Sequence, residues 1–140
     1  MIEKYPNQVK IVYKNFPIRS HKYSEPAAKA AMAAQKQGKF WPFHDLLYAH
    51  YRNLSDKKIR DIAIQLKLDM LRFEKDRKDP AIVRKVRADI RDGNKAGIRG
   101  VPTVFINGRR LRQRSLEGFS EMIEKELQKA GNPSPQKTNK

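Results

Sequence analysis

At 140 residues, with 39% apolar side chains and no cysteine, the chain is long enough for one hydrophobic core. It has no means of forming a disulfide, a thiolate nucleophile or a cysteine-ligated metal centre. No apolar run reaches the stretch of about 18 residues that a membrane span needs; thirty-one Lys and Arg against 15 Asp and Glu leave a formal charge of +16, which favours acidic surfaces, nucleic acid or anionic lipid without choosing among them.

The opening MIEKYPNQVK lacks the charged start, apolar stretch and small-residue cleavage site of an export signal. In QVKIVYKNF, Gln8 to Phe16, apolar Val9, Ile11 and Tyr13 alternate with Lys10, Val12 and Lys14, the period of a strand over about 8–15; Pro17 closes it. SEPAAKAAMAAQKQGK predicts a helix over about 25–37, with Ser24 as N-cap, Pro26 in the first turn and Gly38 as the stop. WPFHDLLYAHY predicts a short helix in which Trp41, Phe43, Leu46, Leu47 and Tyr48 read as core. Ser55 caps the next helix, whose Ile59, Ile62, Ala63 and Leu66 fall on one face. DMLRFEKDRKD is a weaker helix, and Pro80 opens a longer one with Val83, Val86 and Ile90 expected to face inward.

After Gly97 the period becomes that of a sheet. TVFI and RRLRQ flank Asn107-Gly108, the dipeptide that most readily supplies two positive φ angles, so a β-hairpin with strands over about 103–107 and 109–113 is predicted. Ser115 then caps a helix with Leu116, Phe119, Ile123 and Leu127 on one stripe. Residues 131–140, GNPSPQKTNK, lose both periodicity and apolar side chains and read as a disordered basic tail. Val101-Pro102 sits immediately before the first hairpin strand, and without further context an ordinary trans loop is the default, since about 5% of X-Pro bonds in folded proteins are cis.

Context comes from resemblance. GIRGVPTVFINGRRL resembles the second half of the thioredoxin fold, and NFPIRSHKYSEPAAKAAMAAQKQGKFWPFHDLLY resembles the helical insertion of its DsbA-like branch. The likeness runs from about Gln8 to Ala130. It implies an α/β thioredoxin-like fold with a helical insertion over about 25–96, and a thiol-disulfide oxidoreductase scaffold that usually works outside the cytoplasm. In that family a Cys-x-x-Cys at a helix start faces a cis-proline. Pro102 matches the cis-proline, and Val101 matches the preceding residue, whose backbone pairs with an extended peptide or protein substrate.

The departures from the family pattern carry equal weight. Residues 1–7 resemble the last turns of the family's first helix, so the preceding strand and the Cys-x-x-Cys are expected to be missing from this chain. On the resemblance that strand would lie between residues 8–15 and 103–107. Two consequences are expected: no redox activity, because disulfide exchange needs a thiolate, and self-association through unpaired sheet edges. The chain is then either a piece of a longer oxidoreductase or a cysteine-free remnant that holds peptides.

Other chemistry is thinly represented. His44 and His50 are six apart and do not share a helical face, so no metal is expected, and neither a Walker loop nor a dinucleotide fingerprint calls for a cofactor. Asp45 follows His44 directly, and neighbouring helical positions diverge. The rival function is nucleic-acid binding, resting on two basic stripes: Arg84, Arg87, Arg91 and Lys95 along one helix, and Arg110, Arg112 and Arg114 on the hairpin. Solvated faces of a generally basic protein explain both stripes as well.

Overall fold

A computed structural model of the chain describes residues 2–131. The elements in order are a 3-10 turn at Ile2–Lys4, helices α1 (Ser24–Gln35), α2 (Phe40–Ala49), a 3-10 turn at Tyr51–Asn53, α3 (Asp56–Gln65), α4 (Met70–Asp76) and α5 (Pro80–Lys95), strands β1 (Phe105–Ile106) and β2 (Arg109–Arg110), and α6 (Leu116–Lys129). They form two compact units: Lys14–Gly97, and the residues up to Tyr13 together with those from Ile98 onward. The tail predicted over 131–140 lies outside the described residues beyond Gly131. None of the described helices is long and apolar enough to cross a membrane.

The helical unit is built around α1. Its alanines Ala27, Ala30, Ala31, Ala33 and Ala34 are buried, and side chains this small let neighbouring helices approach closely. Phe43 and Leu47 of α2, Ile59, Ile62 and Ala63 of α3, Phe73 of α4 and Ile82 of α5 close the core around them. The Phe43 and Phe73 rings meet at a centroid distance of 5.7 Å. Three helix starts are fixed by side-chain caps, each satisfying an amide that has no partner inside its helix. Ser55 Oγ accepts from Lys58 N at 3.0 Å, Asp69 from Arg72 N at 3.1 Å and Asp79 from Ala81 N at 2.8 Å.

Several expectations for this unit are corrected. Ser24 is not the N-cap of α1: that position is Tyr23, and Ser24 Oγ instead accepts from Ile18 N at 2.9 Å, tying the incoming chain to the helix start. In α2 only one face is inward, so Phe43 and Leu47 are core while Trp41 is 48% and Tyr48 61% exposed. The inward stripe of α5 is Ile82, Val86, Asp89 and Gly93, with Val83 and Ile90 at its margins. Asp89 is 1% exposed. It accepts from Asn15 N at 3.0 Å and Asn15 Nδ2 at 2.9 Å, and from Lys85 Nζ, with Lys14 Nζ at 3.6 Å. Burial pushes its pKa up, but the bonds from Lys85 and Asn15 outweigh burial and hold the carboxyl below the usual range.

In the second unit the hairpin forms as predicted but is shorter. Asn107 and Gly108 have φ of 46° and 77°, the two left-handed positions of a two-residue turn. Phe105 pairs with Arg110 and Ile106 with Arg109, and Leu111 N donates to Val104 O at 2.9 Å. Ser115 caps α6 by accepting from Gly118 N at 3.2 Å. Tyr5, Ile123 and Leu127 form the small core here, with Val9 and Ile106 packed against it. Tyr5 also donates through its hydroxyl to Glu124 at 3.0 Å. Leu116, placed on the inward stripe by its spacing, is exposed, and Phe119 is half-buried.

The strand expected over 8–15 does not form. The described residues contain one sheet of two strands, and Ile11, Val12 and Tyr13 are exposed. Alternation makes a segment competent for a sheet, but a strand exists only when a neighbour takes up its backbone donors and acceptors. Here β1 pairs with β2 alone.

Candidate peptide-docking site

The loop from Gly97 to Thr103 leads into the hairpin. Gly97 has a φ of 71°, a turn that a residue with a Cβ enters only at a cost. The Val101-Pro102 bond is cis, as the resemblance implied. The carbonyls on either side of Val101 are both occupied by side chains: Thr103 Oγ1 donates to Gly100 O at 2.7 Å, and an Arg114 guanidinium nitrogen donates to Pro102 O at 2.7 Å. Val101, 45% exposed, has neither its N–H nor its C=O bonded among the described residues.

The same pattern extends along the hairpin. In an antiparallel pair, residues bonded to the partner alternate with residues whose main-chain groups point the other way. Val104 is bonded to Leu111, so Phe105, one residue on and opposite Arg110, turns its N–H and C=O toward the free edge of β1. Val101 and Phe105 therefore leave backbone donors and acceptors unbonded among the described residues, while the carbonyls of Pro102 and Val104 between them are taken.

The two faces of the hairpin differ. Ile106 packs toward Tyr5, Ile123 and Leu127, and Arg109, its pair, lies 3.7 Å from Glu126 on α6. The opposite face carries Phe105, 39% exposed, and Arg110, and beyond buried Leu111, Arg112 is exposed again. The basic stripe read from the sequence is thus not uniform, because Arg114 is committed to the Pro102 carbonyl, a bond across 12 positions that sequence reasoning missed.

The other stripe, Arg84, Arg87, Arg91 and Lys95, is exposed along α5 and belongs to the helical unit. Acidic groups lie near three of its members. Arg84 helps hold the Asp79 carboxyl low, after the bonds from Lys36 and Ala81 N, and Arg87 acts weakly on Glu25, after Lys29. Lys95 makes a minor contribution to the lowered pKa of Asp92, whose main cause is the Lys14 bond. His44 Nδ1 and Asp45 Oδ1 approach to 3.2 Å, closer than divergence of adjacent positions suggested, on the outer surface of α2. Among the described residues no three His, Asp or Glu side chains gather as metal ligands.

The sequence profile of the DSBA-like thioredoxin domain matches residues 1–124. A probable disulfide bond formation protein D of Bacillus cereus is 30% identical over 87% of this chain and 60% of its own length. A Na(+)/H(+) antiporter NhaA 3 of Salinispora tropica is 37% identical over 73% of this chain, and an antiporter NhaA of Herminiimonas arsenicoxydans 36% identical over 66%. The chain spans 16% and 15% of those antiporters. In fold, the crystal structure of a thioredoxin-like oxidoreductase from Silicibacter pomeroyi matches with a TM-score of 0.69 at 24% identity, over 84% of this chain and 68% of that one. With that profile covering residues 1–124, the chain belongs to the DSBA-like thioredoxin domain family.

Proposed function

We propose that this chain is a redox-inactive member of its family that holds extended peptides along the edge from Val101 to Phe105. The observation that carries the reading is the state of Val101: its own amide and carbonyl are unbonded while the carbonyls on both sides are tied down by Thr103 and Arg114. An edge of this kind binds by adding a strand, with main-chain hydrogen bonds supplying affinity. Disulfide exchange is a separate matter. Its attacking species is a thiolate, and the 140 residues contain no cysteine, so the chain does not accelerate insulin reduction.

The test is a labelled peptide of alternating Thr and Gln, titrated against the protein by fluorescence anisotropy. Val101→Pro removes the amide donor, and loss of one such bond weakens binding about tenfold. Val101→Ala keeps the donor and is the control. Equal affinity of the parent and Val101→Pro overturns the docking reading. A dimer that the peptide does not dissociate assigns the edge to a second copy instead.

A further inference from the structure

Most cations of the hairpin unit already have a partner. Lys4 meets Glu124 at 3.2 Å, Lys125 meets Glu121 at 2.7 Å and Lys129 meets Glu126 at 2.7 Å. Arg109 lies 3.7 Å from Glu126, and Arg114 is bound to the Pro102 carbonyl. Arg110 and Arg112, like Lys10 and Arg99 of the same unit, are exposed and have no acidic group in ion-pair range among the described residues. Arg110 shares a face with the half-exposed ring of Phe105 through the register of the hairpin, and Arg112 follows two residues on, past the end of β2.

From this arrangement we infer that the docking edge selects acidic segments, with Arg110 and Arg112 as the residues that read carboxylates on a bound strand. The inference rests on the peptide-docking reading and adds the class of peptide. A strand added along the free edge of β1 would lie about 4.8 Å from β1 and so roughly 9.6 Å from β2. A long arginine reaching across Phe105 and a glutamate reaching back cover that span between them. Side chains of a strand alternate between faces, so carboxylates at every second position would all lie on the face of Arg110 and Phe105, where guanidinium groups bind carboxylate with two parallel bonds. The ring opposite Arg110 offers an apolar floor along which an arginine stem can pack while its head stays in water.

A phosphate backbone is the competing ligand for two guanidinium groups. It is less well matched here, because Phe105, opposite Arg110, and Val101, four residues back along the same segment, leave main-chain groups unbonded among the described residues that complement another peptide backbone.

The experiment compares two labelled peptides of equal length, alternating Thr with Glu and Thr with Gln, on the full chain at low and raised salt. The acidic peptide is expected to bind roughly five- to tenfold tighter at low salt, as two exposed ion pairs allow. That preference should shrink as salt screens it, and Arg110→Gln/Arg112→Gln should bring the two peptides to the same affinity. Equal affinity for both peptides on the parent overturns this inference and leaves the docking reading standing, whereas no binding of either overturns both. A preference that survives in the double variant places recognition elsewhere on this basic protein. Displacement of the acidic peptide by a thymidine oligonucleotide of equal charge, at lower concentration and through the same two arginines, assigns the surface to nucleic acid.

Discussion

Removing the Asp89 carboxylate is the sharpest perturbation the helical unit offers. The side chain has no exposed surface and receives bonds from the amide and the side chain of Asn15, itself 2% exposed, and from Lys85. In Asp89→Ala the two lysines lose little, because both are about half exposed and water takes over their ammonium groups. The two Asn15 donors have no such recourse. Each buried donor left unsatisfied costs about 1–3 kcal/mol, offset in part by relief of the carboxylate's own desolvation, so a net loss of about 3 kcal/mol is expected. For cooperative unfolding of a chain this size, with an entropy of roughly 0.3 kcal/mol/K, that lowers Tm by about 10 °C. Lys85→Ala leaves the carboxylate with both Asn15 bonds and Lys14 nearby, and should cost about 1 kcal/mol. The sign of the pH dependence follows from the direction of the shift. The folded pKa of Asp89 is depressed, so its contribution is present above the unfolded value of about 3.9 and is lost as pH falls through the lower folded value. Urea melts of parent, Asp89→Ala and Lys85→Ala at neutral and acid pH test this. An Asp89→Ala variant within about 0.5 kcal/mol of the parent, or one no milder in relative terms at low pH, refutes the argument.

Gly118→Ala should raise helix propensity by up to about 1 kcal/mol, yet a Cβ there would run into the backbone carbonyl oxygen and side chain of Gln113. Net destabilisation of about 1–2 kcal/mol is expected from such overpacking; a variant more stable than the parent in urea would show that residues 113–118 relax freely. Arg114→Ala removes the donor to Pro102 O. Because the pair is exposed, stability should change by less than about 1 kcal/mol, while exchange of the Leu111 amide, which donates to Val104 O, speeds up and peptide affinity falls. Unchanged exchange would mean that Arg114 does not fix the loop.

What the sequence reveals of this fold divides by the range of the interaction. The hairpin turn is legible because Asn107 and Gly108 answer a local demand for positive φ, and the caps at Ser55 and Ser115 are legible because acceptor and amide are three residues apart. On α5 Val86 is inward as its spacing implies, but Val83 and Ile90 give way to Ile82 and Asp89 for the opposite reason. An aspartate reads as solvent-facing unless its donors are known, and the donors of Asp89 come from Lys85, one turn back, and from Asn15, 74 positions away. Trp41 and Tyr48 fail in another way: apolar density announces that α2 has a buried face, but only the surrounding helices decide which side chains occupy it. Residues 8–15 alternate as a strand should and still make none, since a ladder belongs to two segments.

The docking edge follows the same division. Val101 and Pro102 enter through resemblance, because nothing in Gly-Val-Pro alone separates a docking loop from an ordinary turn. The bonds that isolate Val101 come from Thr103, two positions away, and Arg114, 13 positions away, and only the second requires the fold. Arg110, Arg112 and Arg114 look alike in sequence as three alternating cations. The fold separates them by what each already touches, and that separation argues for a surface of two arginines rather than three. Net charge of +16 could not have made the distinction: a cation that is already compensated adds little to recognition, so the proposed preference for acidic peptides is assigned to cations that are not.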